Sequence, residues 1–303
     1  MDRIVIVTKK TALENLISEH MTENAAGFHL KTNGESIDSY KREHEIYKAS
    51  LQKITQQIPN DIQTVFLERE QLPRFLFRDN DFIIVCGPDG LLVNLSKYVD
   101  KQLVCTVNPN PESIAGVLMI HQPNEIGLII KQIEKQAQNI VEFPFIKVTV
   151  NNSQSLFAIG DVFIGRGDHI SVRYELIYAG KRQKQSSSGI IVSSGVGASG
   201  WMRSIKTQIR EIAGTAKGLP YSPKPTDRKF LFFVREPFVS PDTKTSLNSN
   251  YVTPEYPLEI ISKMPTGGFI YSDGVFEEGL SWNMGDKAIV TVGEKVLRFV
   301  YNR

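Results

Sequence analysis

No stretch of this chain approaches the roughly 20 consecutive apolar residues that span a bilayer, so no membrane-spanning helix and no membrane partner are expected. Charge of one sign is not in excess either. Thirty-five basic side chains stand against 33 acidic ones, which removes the global electrostatic footprint of a nucleic-acid-binding protein and makes any anion site a local one. Cysteine is scarce. The two present, Cys86 and Cys105, both sit inside apolar runs and read as reduced core thiols rather than a disulfide, as suits a reducing, cytoplasmic compartment. The five histidines (His20, His29, His44, His121, His169) are scattered without metal-ligand spacing. No internal repeat or low-complexity tract is present, and the N-terminal MDRIVIVTKK starts directly on a strand, with no signal or targeting leader expected.

With 303 residues the chain has room for two domains. Residues 3–7 (RIVIV) read as a buried strand. The polar stretch 20–41 reads as a mobile surface excursion. Tyr47, Leu51, Ile54 and Ile58 recur at helical spacing within Tyr40–Ile58, which stops before Pro59. Strands are predicted at 62–67, 82–86 and 103–107, with a short helix after Gly90. This alternation predicts a parallel, Rossmann-like sheet covered on both faces. Beyond Gly116 a helix is predicted near 125–136, followed by strands at 145–150, 156–164, 171–178, 190–193, 229–234, 258–262, 268–272, 287–292 and 296–300. Many short strands at this spacing predict a β-sandwich. The proline-bearing segment 214–227 reads as an extended loop. The expected division is residues 1–115 for an α/β nucleotide-binding domain, with a tail of about 290–303 packing back on it, and 116–290 for an all-β dinucleotide-binding domain.

Two segments carry chemistry. In DFIIVCGPDG (81–90), an apolar strand runs into a Gly-Pro-Asp-Gly turn, placing Asp89 at a strand's carboxyl end. In open α/β sheets ligands bind at that edge, where a carboxylate can hold Mg²⁺ or accept a hydroxyl proton. An ordinary turn with Asp89 as helix N-cap explains the same residues. The second segment, SSSGIIVSSGVGASGWMRS (186–204), follows the basic run Lys181-Arg182-Gln183-Lys184. Its small residues leave backbone donors open to phosphate, and Trp201 offers a flat face to a base. Arg203, Lys206 and Arg210 would share one helix face. The competing reading is a flexible loop leading into a solvated helix.

Taken in order, these segments resemble the NAD kinase family, and its mitochondrial branch in particular. Gly87-Pro88-Asp89-Gly90 matches that family's Gly-Gly-Asp-Gly turn. Val107-Asn108-Pro109, with Pro111, Glu112 and Gly116, matches its GVN-plus-Pro segment, and Gly160-Asp161 its Asn-Glu pair. Gln185–Trp201 matches its Ser/Thr/Gly-rich loop. Asp273-Gly274 and Gly285-Asp286 match its late turns, while Arg235-Glu236-Pro237 and Arg42-Glu43-His44 match the mitochondrial branch. The resemblance runs collinearly from about residue 3 to residue 300. It implies an α/β domain and a β-sandwich with the dinucleotide in the cleft between them. It also implies transfer of the γ-phosphoryl of ATP to the adenosine ribose 2′-hydroxyl of NAD, with Mg²⁺ or another divalent cation as cofactor. Homodimers or homotetramers are implied as well.

On that resemblance Asp89 is the catalytic residue, with Mg²⁺ near it. Gly87, Gly90, Asn108, Gly160, Asp161, Ser188, Gly197, Ser199 and Trp201 contact nucleotide, and Arg42, His44, Lys184 and Arg203 are candidates for phosphate. Each has a plainer alternative: an Asx turn for Asn108, a strand-end acid for Asp161, core packing for Trp201, and solvated surface charge for the four basic residues. Asp273 is expected to shape a turn. The sequence departs from the family at the site. Pro88 removes a potential phosphate donor, Gly160-Asp161 lacks the amide and shortens the acid, and Ser188 and Ala198 replace an aspartate and a serine. A nucleotide-binding homologue with little transfer activity, or a kinase for another acceptor, are the alternative functions.

Overall fold

The first strand, β1 (Arg3–Thr8), is buried along its whole length, as the continuous apolar run requires of a strand covered on both faces. In the computed structural model, which describes residues 1–113 and 117–301, it pairs in parallel with β2 (Gln63–Glu68) on one side and β3 (Asp81–Cys86) on the other. β3 in turn pairs in parallel with β4 (Leu103–Val107), giving the order β2-β1-β3-β4. One face is filled by Ile4, Ile6, Phe82, Ile84, Cys86, Cys105 and Val107. Against these pack Tyr47 and Ile54 of α3 (Ile37–Thr55), together with Ile126, Ile129 and Ile130 of α5 (Ile126–Glu134). Both cysteines are free, and burial pushes both thiols up. On the other face Val5, Val7, Ile83, Val85 and Val104 are equally buried.

The polar stretch expected to be a mobile excursion is helical. α1 (Ala12–His20) is opened by a reciprocal capping box between Thr11 and Glu14, and α2 (Glu23–Thr32) by Thr22, whose hydroxyl accepts from Ala25 N. Ala26 and Leu30, four apart on α2, are buried. Two buried side chains and a cap outweigh a composition that reads as loop.

The chain divides into two compact units, Met1–Val141 with Leu297–Arg303, and Glu142–Val296. The expected boundary at 115/116 falls on residues outside the described ones. The first unit continues as far as Val141, and α5 belongs to it because its apolar face is buried in the first core. From Leu297 the chain returns to the first unit, with Arg298 and Phe299 in parallel register with Leu103 and Val104.

In the second unit, β7 (Asp161–Arg166), β10 (Ile190–Ser193), β11 (Phe230–Val234), β12 (Ser249–Val252), β14 (Gly268–Ser272) and β15 (Val275–Ser281) form an antiparallel sheet ordered β12-β11-β10-β7-β14-β15. The facing layer contains β5 (Ile140–Val150), β6 (Gln154–Ala158), β8 (Val172–Tyr178), β9 (Lys181–Ser187), β13 (Leu258–Ser262) and the start of β16 (Lys287–Val300). Val162, Ile164, Phe230 and Phe232 point into the shared core with Tyr174, Leu176, Leu258, Ile260 and Trp282. Their neighbours Phe163, Leu231 and Phe233 point the other way, as alternation demands. There they pack with Met202 of α6 (Trp201–Ala213).

The predicted strand 156–164 is two strands, broken at Gly160, and the basic run expected to flank a loop is edge strand β9. Charge on an edge strand discourages further pairing, so the run has a local reason.

Among the described residues the most heavily buried ion pair is Arg3–Asp81, at the start of β1 and β3: Nε donates to Oδ1 at 2.9 Å and Nη2 to Oδ2 at 2.5 Å. Removing one partner strands the other charge. Asp81→Ala is expected to lower unfolding free energy by about 3–5 kcal/mol, read from chemical denaturation, with Arg3→Met on the same background recovering part of the loss.

Candidate functional site

At the carboxyl ends of the first unit's strands, α3 fixes three chain ends at once. Tyr47 accepts from Lys9 N (3.3 Å) just past β1 and donates to Cys86 O (2.9 Å) at the end of β3. Ser50 donates to Pro109 O (2.7 Å) just past β4. These ends surround a cavity of about 300 Å³ lined by Lys9, Thr11, Glu43, Gly87, Pro88 and Asn110, among others. In the order β2-β1-β3-β4 the connection reverses between β1 and β3, the topological switch point at which open sheets bind ligands. The Gly87-Pro88 wall leads directly into Asp89, the first residue of α4 (Asp89–Leu95).

Asp89 is not the helix cap: that position is Pro88, with no side-chain hydrogen bond. Its carboxylate accepts instead from Val117 N (3.0 Å) and Leu118 N (3.1 Å). Proline suits the capping position, since its fixed φ leads into the first turn and no helical bond needs its N–H.

Of the other residues expected here, Gly87 lines the cavity and Gly90 is exposed on α4. Asn108 makes the Asx turn, its Oδ1 accepting from Asn110 N at 3.0 Å. His44 Nδ1 lies 2.8 Å from Thr11 Oγ1, and Arg42 is exposed on α3. Gly116 lies outside the described residues. Sequence reasoning missed Lys9, Thr11 and Asn110. Their signal was position: each follows within three residues of a buried strand's carboxyl end.

The second unit has its own cluster. The Asp273 carboxylate accepts from three consecutive backbone N–H groups, Ile159 (3.0 Å), Gly160 (2.8 Å) and Asp161 (3.0 Å), while Asp273 N donates to Asp161 O (2.8 Å). Asp273 therefore shapes the turn that carries Gly160-Asp161. A Cβ at Gly160 would stand 2.9 Å from that carboxylate, and one at Gly197 would stand 2.5 Å from both Asp161 Oδ1 and Gly160 O. Only glycine lets these segments meet.

The small-residue segment is less open than its composition suggests. Ser187, Ser193 and Ser194 are buried; the end of β9 takes in Ser186 and Ser187, and β10 takes in Ile190–Ser193. Ser194 Oγ donates to Ile159 O and accepts from Val196 N and Gly197 N; Ser188 N donates to Arg235 O. Many of the backbone donors expected to be open to phosphate are thus satisfied within the protein. Ser199 is half-buried in the short turn before α6.

Trp201 stacks on Phe163 (centroids 5.5 Å apart, planes 17° apart) with the Arg235 guanidinium 5.2 Å from its ring centre. It is half-buried and belongs to the apolar cluster under α6. Lys184 is exposed on β9, opposite Glu175, and Arg203 is exposed on α6.

Asp161 Oδ1 is buried without a hydrogen-bond partner. Burial, with the Asp273 charge adding to it and a Ser193 hydrogen bond opposing it, pushes its carboxyl up to about 7. No three His, Cys, Asp or Glu side chains among the described residues gather to hold a metal ion, and none of the described helices is long and apolar enough to cross a membrane.

No family model and no curated protein matches the sequence. Among solved structures, the chain is similar to the crystal structure of an NAD kinase from Archaeoglobus fulgidus in complex with ATP. The TM-score is 0.60 at 16% identity, covering 99% of this chain and 94% of that one. In fold, this chain is NAD kinase-like. An α/β unit with a parallel sheet, followed in sequence by an antiparallel sandwich, is the architecture expected of that fold.

The Asp161 environment sets a pH dependence. Its carboxyl binds a proton more tightly folded than at its ordinary value of 3.8, so the stabilisation is complete below about 4 and is lost as pH rises through about 7. Thermal melts of the wild type should fall across that window relative to Asp161→Asn, whose melting temperature should vary less with pH. Parallel curves would contradict the assignment.

Proposed function

We propose that this protein transfers the γ-phosphoryl of ATP to the adenosine ribose 2′-hydroxyl of NAD, giving NADP and ADP, as a divergent NAD kinase of the mitochondrial-branch type. The observation that carries this reading is the position of Asp89. It opens α4 directly behind the wall of a cavity at the sheet's switch point, with Lys9, Thr11 and Asn110 as polar lining. The similar fold of an NAD kinase solved with ATP supports it, as does the collinear series of turns from Gly87 to Asp286.

In this reading Asp89 accepts the proton of the 2′-hydroxyl as that oxygen bonds to the γ-phosphorus and the bond to ADP breaks. Phosphoryl transfer asks mainly for positioning and charge stabilisation, and Lys9 is a cationic side chain of the cavity wall that would supply it. An ionised carboxylate has about four lone-pair sites. Two backbone donors on Asp89 therefore leave capacity for Mg²⁺, which is commonly held by one or two carboxylates together with substrate phosphates. When bound, that ion would neutralise charge on the phosphate oxygens.

One observation favours the alternative, a nucleotide-binding homologue with little transfer. Both Asp89 oxygens already accept a backbone N–H, so the carboxylate also has a structural role that would keep it without chemistry. A coupled assay for NADP with ATP, Mg²⁺ and NAD separates the two. Asp89→Asn should lower kcat by about 10²–10⁴-fold while NAD binding, measured by calorimetry, is retained. Nucleotide binding without turnover in the wild type selects the alternative, and a wild type that binds neither NAD nor NADP contradicts both.

A further inference from the structure

α6 has two unlike faces. Met202 is buried and Ile205 packs beside it against the outer side of the β7–β10–β11 sheet. Arg203, Lys206, Thr207 and Arg210, spaced i, i+3, i+4 and i+7, line a different feature, a cavity of about 700 Å³ closed on its far side by residues 216–222. That volume lies within the range of small-molecule sites. The far wall adds Lys217, so four cationic side chains line the cavity and no carboxylate does.

The wall is held in place. Lys206 Nζ donates to Pro220 O (2.7 Å) and Ser222 Oγ (2.9 Å), Tyr251 donates to Tyr221 O (2.8 Å), and Leu219 packs on the apolar cluster beneath. The cavity is therefore built into the fold. Like charges three and four residues apart on one helix repel, and among the described residues only Arg210 of the four is in an ion pair, with Glu211, which lies outside the lining. Lys206 is partly desolvated, which lowers its pKa. A neighbouring polyanion would relieve both effects.

We infer that this cavity, whose lining lies wholly within the second unit, binds a compact polyanion, the oligophosphate chain of a small molecule. Arginine forks and lysine ammonium groups match phosphate oxygens. A cavity of this size, open to solvent on one side, admits a short phosphoanhydride chain, free or attached to a nucleoside. This inference does not depend on Asp89 being catalytic.

The probe is inorganic tripolyphosphate, titrated calorimetrically into the full chain without divalent cation. The wild type is compared with Arg210→Gln/Lys217→Gln and with Asp89→Asn, each checked for native circular dichroism and melting. The wild type should bind, and binding should weaken with added salt. The double variant should lose on the order of tenfold for each cation removed, and Asp89→Asn should bind like the wild type. Displacement of tripolyphosphate by ATP would identify a nucleotide-borne chain, and failure of ATP to displace it a free one. No wild-type binding, equal binding by the double variant, loss in Asp89→Asn, or displacement by adenosine alone would each overturn the inference. Because the readout is binding, it stands or falls separately from NADP formation.

Discussion

Three consecutive backbone N–H groups, those of Ile159, Gly160 and Asp161, converge on the single carboxylate of Asp273. Much of the second unit's candidate site is a consequence. The bonds draw the β6–β7 turn against the β14–β15 turn, and Gly197 then closes over it with no room for a side chain. The result is an Asp161 side chain held where one oxygen has no partner. Charge-assisted bonds to backbone donors are strong, so the acid that does no chemistry fixes the acid that is a candidate for it. The first unit uses the same device more sparingly, with Asp89 receiving the N–H groups of Val117 and Leu118.

This shared device explains which parts were legible in the sequence. Strands β1, β3, β4, β10, β11, β13 and β14 announce themselves as short apolar runs bounded by turns, because burial on one or both faces leaves few other residue choices. The helices over 12–32 did not. Their apolar positions are sparse, and what stabilises them is capping by Thr11 and Thr22 plus a few buried contacts. The strand β9 was hidden for the opposite reason: an exposed edge tolerates Lys181, Arg182 and Lys184, which break the apolar pattern by which a strand is recognised.

The functional segments show a different limit. Composition correctly marks 186–204 as a place where backbone approaches something closely, yet much of what it approaches is the protein itself. Ser194 is the clearest case, since one hydroxyl serves the carbonyl of Ile159 and the N–H groups of Val196 and Gly197. A glycine or serine required by internal packing and one required by a phosphate carry the same letter. Only the hydrogen-bond partners distinguish them. The cavity residues Lys9, Thr11 and Asn110 illustrate the converse, being ordinary in type and informative only through the strand ends they follow.

Set against the Asn-Glu pair of the family that the sequence resembles, Gly160-Asp161 reads as lacking an amide able both to donate and to accept. The environment of Asp161 alters that reading. Burial, with the Asp273 charge adding to it, pushes its carboxyl up to about 7, so the neutral form is favoured far more than for an exposed aspartate. A neutral carboxyl presents one O–H donor alongside acceptor lone pairs, the same two functions the amide supplied. An ionised acid in that position would repel phosphate, whereas a neutral one does not. The carboxylate of Asp273 is therefore more than a turn former: besides holding three N–H groups, it leaves its own charge beside Asp161 and so adds to the burial that favours the second acid's neutral form.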